Sequence, residues 1–475
     1  MTPSHASIDA TDVSESAMPN DLIEIAEAIA SGRLTAEAAV TAALEREQAW
    51  GGLNAFVALE AEAALEQARA CDRERGQGRL RGSLHGVPMA HKDMFFRAGI
   101  PTEAGSLIWR GHVPRETSPL VARLEAAGAI TIGRLHMAEF AMGPTGHNAH
   151  LGRCANPWNA EAISGGSSSG SGAAVGARIV TGALGSDTGG SVRLPAAFCG
   201  VAGLKPTNGL LPDTAMMPLS HTLDTAGPLA TSSRSLARLM TVLTASGEDY
   251  EAGLDRGIAG LTIGVPTSYF TEDLHPEVAL AFAAARQVFE QLGARVIDVA
   301  IPDHSSYPGI AARIWAPEAA AFHARHLAER SQDFGEQVRN RLEAGAAVTP
   351  RDYLAALGAR KSAQSDMLAG PFAQVDLLLT PAARMPVPLA DEVGATGGAA
   401  MEAMVAELSA LTRTISMLGF PALVTPMGFD ARGLPVALQL IGQPHSERSL
   451  LRGGFSFEKA TQWLSRVPSS SSSLP

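Results

Sequence analysis

Two stretches rich in serine and glycine lie about twenty residues apart and constrain this chain more than any other feature. The first covers residues 164–172, and the second covers residues 185–195. Glycine lets the backbone come close to a small molecule, and the serines place hydroxyl groups beside that backbone. The segment 173–184 between them is mostly small and apolar, which predicts a buried helix followed by the start of a strand. A flexible linker, the usual interpretation of such composition, does not fit this context.

Two other kinds of site match parts of these stretches. A phosphate-binding loop of the Walker type ends in Gly-Lys-Ser/Thr, and neither stretch contains a lysine. Residues 166–170 match the G-x-S-x-G nucleophile elbow of α/β-hydrolases, with Ser168 as the nucleophile. That site also needs an acid and a histidine downstream, for which Asp224 and His445 are the candidates. The elbow interpretation stays open, but it leaves the second glycine-rich stretch without a role.

A lysine upstream of both stretches adds a base for acyl transfer. Lys92 lies between the apolar segments 87–90 and 94–96. A serine hydroxyl needs a base to act as a nucleophile at neutral pH, and a lysine serves only when it is uncharged. Burial lowers a lysine pKa, because desolvation disfavours the ammonium form. A neighbouring carboxylate would oppose that effect, so we expect the side chain of Asp93 to point away from Lys92.

Three sequence blocks in a fixed order resemble the amidase signature family. They are residues 84–93 (LHGVPMAHKD), residues 165–171 (GGSSSGS) and residues 185–209 (GSDTGGSVRLPAAFCGVAGLKPTNG). Lys92 lies 99 residues before Ser191, and Ser167 lies 24 residues before it, which is similar to the spacing in that family. The resemblance covers most of the chain and is weakest over residues 248–376.

The resemblance implies three catalytic roles. Ser191, the last serine of the GSDTGGS block, corresponds to the nucleophile, and Lys92 corresponds to the base. Ser167 corresponds to a serine that follows a cis peptide bond and relays a proton between the other two. A hydroxyl group suits a relay because it both donates and accepts a hydrogen bond. No metal or other cofactor is implied.

Other residues of the blocks are expected to support the reaction. The tetrahedral intermediate needs backbone N–H donors, and the candidates for this oxyanion hole are Thr188, Gly189, Gly190 and Ser191. Met142 and Gly143 lie where the resemblance places the acyl pocket. Asp187 and Arg193 are expected to form a structural ion pair. The remaining serines are expected to cap backbone groups: Ser168, Ser169, Ser171 and Ser186. The segment around Trp315, Phe322 and His323 is either part of the pocket wall or a packed helix.

Helical and strand patterns alternate along the chain. Caps and apolar spacing predict helices over residues 21–70 with an N-cap at Thr35, over 120–127 with a cap at Ser118, and over 276–293. Strands are predicted over residues 129–132, 261–265, 295–299, 375–380, 422–425 and 436–441. This alternation predicts an α/β fold with a mixed, mostly buried central β-sheet covered by helices on both faces. We expect one domain over residues 20–467, a disordered N-terminus over 1–19 and a flexible Ser-rich tail over 468–475.

Bulk properties exclude several classes of protein. The net charge of −11 disfavours nucleic acid and anionic membranes as partners. Three cysteines without a CxxC pair disfavour a disulfide framework or a zinc site. No apolar run approaches the ~20 residues of a membrane span, and no signal peptide is evident. We therefore expect a cytoplasmic protein whose partner is a small-molecule substrate, with a homodimer as the candidate assembly.

Taken with the resemblance, these residues predict a stand-alone hydrolase that cleaves an amide or carbamate C–N bond through a Ser191 acyl-enzyme. The alternative is the glutamine-hydrolysing A subunit of a tRNA-dependent amidotransferase. That subunit usually carries a YDGxRYG-like segment in its middle region, and residues 331–338 (SQDFGEQV) lack its tyrosines. A non-catalytic scaffold on the same fold is the third possibility, and it does not explain why all three catalytic positions are intact.

Overall fold

The computed structural model describes residues 18–393 and 398–469. The predicted disordered N-terminus and Ser-rich tail lie almost entirely outside these residues. The predicted single domain over residues 20–467 stays a prediction.

A large mixed β-sheet of eleven strands forms the centre of the molecule. The strands in chain order are β1 (Phe56–Leu59), β2 (Pro88–Lys92), β3 (Ile130–Leu135), β4 (Ala155–Asn156), β5 (Asn159–Ile163), β6 (Gly182–Ser186), β7 (Ala202–Lys205), β8 (Ala226–Ala230), β9 (Thr262–Pro266), β10 (Arg295–Val299), β11 (Leu377–Pro381), β12 (Ala422–Phe429) and β13 (Pro435–Gly442). The order across the large sheet is β1-β3-β2-β6-β8-β7-β12-β13-β11-β9-β10, and β4 pairs with β5 separately. Every residue of β2, β3, β6, β7, β8, β11 and β13 is buried.

Helices flank this sheet. They are α1 (Leu22–Ser31), α2 (Ala36–Ala49), α3 (Ala61–Gly76), α4 (Pro119–Ala126), α5 (Ser169–Gly176), α6 (Arg193–Cys199), α7 (Ser233–Thr244), α8 (Pro276–Gln291), α9 (Tyr307–Phe322), α10 (Ala324–Arg330), α11 (Glu336–Ala346), α12 (Pro350–Ala369), α13 (Ala390–Val393), α14 (Ala399–Leu408), α15 (Ala410–Leu418) and α16 (Glu447–Thr461). The α/β fold predicted from the sequence is confirmed.

The local predictions are confirmed where capping and periodicity agree. Thr35 accepts a hydrogen bond from the backbone of Ala38 at the start of α2, and the predicted helix that begins at Pro276 is present as α8. The helical pattern predicted over residues 21–70 forms α1, α2 and the first part of α3, but it missed strand β1, which lies between α2 and α3 and pairs with β3. Ser118 precedes α4, but its side chain makes no capping hydrogen bond.

The sheet brings the sequence blocks to one place. Strand β2 pairs in parallel with β6, with Ala90 opposite Ala183 and His91 opposite Leu184. The carboxyl ends of the two parallel strands therefore meet at the same edge, which places Lys92 beside the end of β6. The segment 173–184 contains the end of α5 and the start of β6, as predicted.

Membrane-spanning helices and metal-binding clusters have distinct structural requirements. Over residues 18–393 and 398–469, no helix combines the length and apolar character needed to cross a membrane. The same residues contain no group of three or more His, Cys, Asp or Glu side chains placed to hold a metal ion.

Candidate active site

Lys92 lies at the end of β2 with its side chain fully buried. Its amine donates hydrogen bonds to the hydroxyl groups of Ser167 (2.7 Å) and Ser186 (2.8 Å). Burial lowers the pKa of Lys92 to about 7, although the charges of Asp224 and Asp187 act in the opposite direction. A large fraction of this amine is therefore neutral near physiological pH, when its lone pair can accept a proton.

The carboxylate beside Lys92 in the sequence points away from it, as predicted. Asp93 accepts hydrogen bonds from Arg134 (2.6 Å) and from the backbone of Glu103 (3.2 Å). Burial raises the pKa of Asp93 to about 6, and Arg134 limits that increase. Asp93 therefore does not pair with Lys92, and no other carboxylate of residues 18–393 and 398–469 lies in an ion pair with it.

Ser167 lies between Lys92 and the second glycine-rich loop. The peptide bond between Gly166 and Ser167 is cis, as the resemblance implies. The buried Ser167 hydroxyl accepts from Lys92 and donates to no group within the described residues, so its proton remains available. The backbone carbonyl of Ser191 accepts from the backbone of Ser168 at 3.2 Å, which joins the two loops.

Ser191 is half-buried and faces a cavity. Its hydroxyl makes no hydrogen bond to any group in the described parts of the chain, and neither Ser167 nor Lys92 is bonded to it. The structure therefore brings Lys92 and Ser167 into direct contact and places Ser191 on the adjoining loop.

The loop that carries Ser191 is held by one buried carboxylate. Asp187 accepts hydrogen bonds from the Arg193 side chain (2.9 Å at each oxygen) and from the Ser416 hydroxyl (2.9 Å). Both Asp187 and Arg193 are completely buried. Burial alone would raise the pKa of Asp187, but the adjacent Arg193 guanidinium lowers it to about 2. The predicted structural ion pair is confirmed.

One of the four predicted oxyanion donors is already used. The backbone N–H of Gly190 donates to Asp187 at 2.9 Å, so it is not free to bind a substrate oxygen in this structure. The backbone N–H groups of Thr188, Gly189 and Ser191 have no acceptor among the described residues. The donors available for an oxyanion are therefore three of the four expected from the sequence.

The side chain of Thr188 anchors the same loop from the other side. Its hydroxyl donates to Asp224 at 2.5 Å, and the second oxygen of Asp224 accepts from the backbone of Leu219 (2.8 Å) and Ser220 (3.0 Å). Burial raises the pKa of Asp224 to about 6, and these hydrogen bonds limit the increase. Both oxygens of the Asp224 carboxylate are therefore occupied by hydrogen bonds that hold the loop.

The contacts of Asp224 and Ser168 exclude the nucleophile-elbow interpretation, in which Asp224 would be the acid and Ser168 the nucleophile. Ser168 is fully buried, and its hydroxyl bonds only the backbone of Ser186. Within the described residues no hydrogen bond connects the His445 ring to Ser168 or to Asp224. The three residues that this alternative requires are not assembled.

The cavity beside Ser191 has a volume of about 250 Å³. Its apolar wall includes Ala141, Met142, Leu194, Leu219, Trp315 and Val405, and its polar wall includes Thr188, Ser191, Arg341, Glu402 and Arg413. Met142 and Gly143, predicted to bind substrate, both line this cavity. Trp315 also lines it, whereas Phe322 and His323 pack against each other and do not.

Sequence reasoning missed two residues of this site. Ser186 was expected to cap the backbone, but its hydroxyl accepts from Lys92. The signal for Ser186 is its position at the end of a strand parallel to β2. Arg413 lines the cavity from α15, and no motif in the sequence marks it. The backbone-capping role of Ser168 and Ser171 is confirmed, whereas the Ser169 hydroxyl has no partner in the described structure.

Comparisons with known proteins identify the family of this chain. The family model Amidase matches residues 38–451. The A subunit of the glutamyl-tRNA(Gln) amidotransferase from Chloroflexus aurantiacus is 37% identical, over 93% of this chain and 96% of the relative.

Solved structures similar to this chain include relatives of the same kind. One similar structure is described as a vestigial protein complex that reveals the evolutionary origins of an s-triazine catabolic enzyme. Its matching chain has a TM-score of 0.86 and 35% sequence identity, over 93% of this chain and 98% of that chain. A crystal structure of an amidase has a TM-score of 0.84 and 34% identity, over 93% and 99% of the two chains. The resemblance in the sequence is confirmed, and the chain belongs to the Amidase family.

Proposed function

We propose that this chain hydrolyses an amide-like C–N bond with Ser191 as nucleophile, Ser167 as proton relay and Lys92 as base. One observation carries the proposal: a fully buried lysine amine lies 2.7 Å from the Ser167 hydroxyl. A lysine that is desolvated and has no ion-pair partner is suited to accept a proton.

The proposed reaction proceeds in two halves. The Ser191 oxygen attacks the carbonyl carbon and gives its proton to Ser167, which passes its own proton to Lys92. The tetrahedral intermediate collapses, and the proton returns from Lys92 through Ser167 to the departing nitrogen. Water then attacks the acyl-enzyme by the same proton route, which releases the acid and restores Ser191.

The free backbone donors of the loop would stabilise the oxygen of the tetrahedral intermediate. Gly189 and Ser191 both line the cavity, and their N–H groups have no other acceptor in the described structure. Donors that are already fixed in position stabilise developing charge without reorganising, and loss of one typically costs about 10²–10³-fold in rate.

The curated relatives are named as A subunits of a glutamyl-tRNA(Gln) amidotransferase, the subunit for which the sequence analysis expects glutamine as the substrate. They support the amidotransferase A subunit, the alternative in the sequence analysis, better than they support a stand-alone enzyme. In that function the chain would work with the other subunits of an amidotransferase. The missing tyrosines of residues 331–338 are a departure from that subunit's pattern.

A stand-alone hydrolase of amides or carbamates is the second candidate. Its support comes from solved structures described as an amidase and as a peptide amidase, which cover 93% and 94% of this chain. The cavity lining also includes the apolar side chains of Met142, Leu194, Leu219, Trp315 and Val405, which suits organic acyl groups in general.

A turnover assay tests the proposed chemistry and separates the two candidates. Purified chain is incubated with glutamine, primary amides, aryl amides, carbamates and esters, and release of ammonia, amine or alcohol is measured. We expect at least one amide to be hydrolysed by the wild type and by Ser169→Ala, and none by Ser191→Ala. Glutamine hydrolysis only in the presence of partner subunits supports the amidotransferase. Equal turnover by Ser191→Ala would overturn the proposal.

A further inference from the structure

Arg413 is a cation without a partner in the wall of the cavity. It lies on α15, and its side chain is partly exposed to the space that Ser191 also faces. Across residues 18–393 and 398–469, no hydrogen bond or ion pair reaches its guanidinium group. Such a group carries up to five N–H donors, all of which are available here.

The other arginines near this site are paired. Arg341, also in the cavity wall, bonds Glu402 at 2.9 Å and the backbone of Met142 at 3.0 Å. Arg193 is fully bonded to Asp187 and its neighbours. Of these three arginines, only Arg413 has no hydrogen bond or ion pair from its guanidinium group within the described parts of the chain.

The charges around Arg413 do not neutralise it. Glu402 is the carboxylate whose charge acts on Arg413, but Glu402 already pairs with Arg341. Burial lowers the pKa of Arg413 to about 10, and the charge of Arg341 acts in the same direction. Arg413 is therefore still protonated at neutral pH, and it places a positive charge in the cavity wall that no described side chain pairs with.

Arg413 also lies close to the reacting groups. A Cβ atom placed on Gly189 would lie 3.8 Å from Cγ and 3.9 Å from Nε of Arg413. The arginine side chain therefore runs alongside the loop that carries Ser191. A substrate bound at Ser191 would share one small cavity with the guanidinium group.

We infer that Arg413 determines specificity by binding a carboxylate group carried by the amide substrate. An enclosed, unpaired guanidinium is costly until an anion satisfies it, and a carboxylate matches its paired donors in a bidentate arrangement. This inference rests on the proposed amide hydrolysis and adds a substrate class to it. Both glutamine and the monoamide of a dicarboxylic acid belong to that class.

Paired substrates test the inference. Glutaramate, the monoamide of glutaric acid, is compared with pentanamide, which has the same length and no charge. N-acetylglycine and N-ethylacetamide form a second pair, with the carboxylate on the amine side. We expect the wild type to favour the anionic member of at least one pair by more than tenfold in kcat/KM.

Variants then assign the preference to Arg413. Arg413→Met should reduce the anionic-to-neutral ratio of kcat/KM by about 10²-fold, mainly through KM, and Arg413→Lys should restore part of it. Arg351→Met, at an exposed position of α12, should keep the wild-type ratio. Thermal unfolding establishes that each variant is folded. A ratio unchanged in Arg413→Met, or a wild type that favours the neutral amide in both pairs, would overturn the inference.

A second readout does not depend on turnover. Glutaramate should protect Ser191 from a serine-reactive fluorophosphonate better than pentanamide does, and Arg413→Met should remove the difference. Equal protection by the two amides in the wild type contradicts the inference alone. Absence of both labelling and hydrolysis contradicts the proposed function itself.

Discussion

The amine of Lys92 lies 2.8 Å from the hydroxyl of Ser186, a residue 94 positions later in the chain. The contact exists because β2 and β6 are parallel neighbours whose carboxyl ends coincide. Lys92 is thus held between two hydroxyl groups: Ser167 follows the cis peptide bond of the first glycine-rich stretch, and Ser186 lies at the end of β6, where the loop that carries Ser191 begins. Ser186 is a positioning residue in this arrangement.

Replacement of Ser186 by alanine tests that role. Because Ser186 accepts a hydrogen bond that favours the ammonium form, Ser186→Ala should shift the pH midpoint of kcat/KM downward and reduce the plateau about tenfold. Ser171→Ala, which removes a buried hydroxyl bonded to the Leu184 backbone, should leave the midpoint in place. An unchanged midpoint in Ser186→Ala would argue against the role.

The pH dependence of the wild type follows from the lysine base. The pKa of Lys92 is lowered to about 7 by burial, and only the neutral form accepts a proton. We expect kcat/KM to rise with pH, with a midpoint near the Lys92 pKa of about 7 and a plateau above about pH 8. Lys92→Ala should reduce the plateau by about 10²–10⁴-fold. A rate that stays constant from pH 5 to pH 9, with chemistry limiting, would exclude Lys92 as the base.

The geometry of the Ser191 loop depends on Gly190. Its φ is +126°, and a methyl group there would overlap the hydroxyl of Thr412. Gly190→Ala should therefore distort the loop and reduce kcat by about 10²-fold or more, which is the range for loss of an oxyanion donor. Gly358→Ala, with no atom within 4 Å of the new Cβ, should retain wild-type kcat. Full activity of Gly190→Ala would show that the loop tolerates this distortion.

The buried ion pair under the loop is expected to control stability. Arg193→Met leaves the Asp187 carboxylate without its partner and should lower the free energy of unfolding by about 3–5 kcal/mol. Arg286→Met, in a surface pair whose side chains are 33% and 61% exposed, should cost at most about 1 kcal/mol. Urea denaturation at pH 7 measures both. Equal losses in the two variants would contradict the account.

The same pair predicts a response to acid. Because the folded-state pKa of Asp187 is lowered to about 2 from its ordinary value of 3.8, its contribution to stability is present above about pH 4. That contribution is lost as the pH falls from about 4 towards 2. The difference between wild type and Asp187→Asn in urea denaturation should therefore shrink over this interval, and a constant difference would contradict the assignment.

The sequence predicted the parts of the site that lie within its motifs. Lys92 and Ser167, which are 75 residues apart, are in contact, and the Asp187–Arg193 pair holds the second loop. These predictions succeed because the side-chain type of each residue and the sequence on either side of it indicate the same chemical role. The fold class was also predictable, since buried apolar strands alternate with capped helices.

The parts that failed depend on pairing in three dimensions. The Gly190 N–H donates to Asp187 because of the way the loop folds over that carboxylate. Composition does not determine this path of the loop. Ser186 contacts Lys92 only through the register of β2 on β6. Arg413 reaches the cavity from a helix 222 residues after Ser191, and local sequence around it resembles that of any amphipathic helix.

The most direct measurement of the central claim is peptide mapping by mass spectrometry after reaction with a fluorophosphonate. The account predicts one modified serine, Ser191, with labelling lost in Ser191→Ala and slowed in Lys92→Ala. Modification of Ser168 with Ser191 untouched, or equal labelling of the wild type and Ser191→Ala, would contradict it.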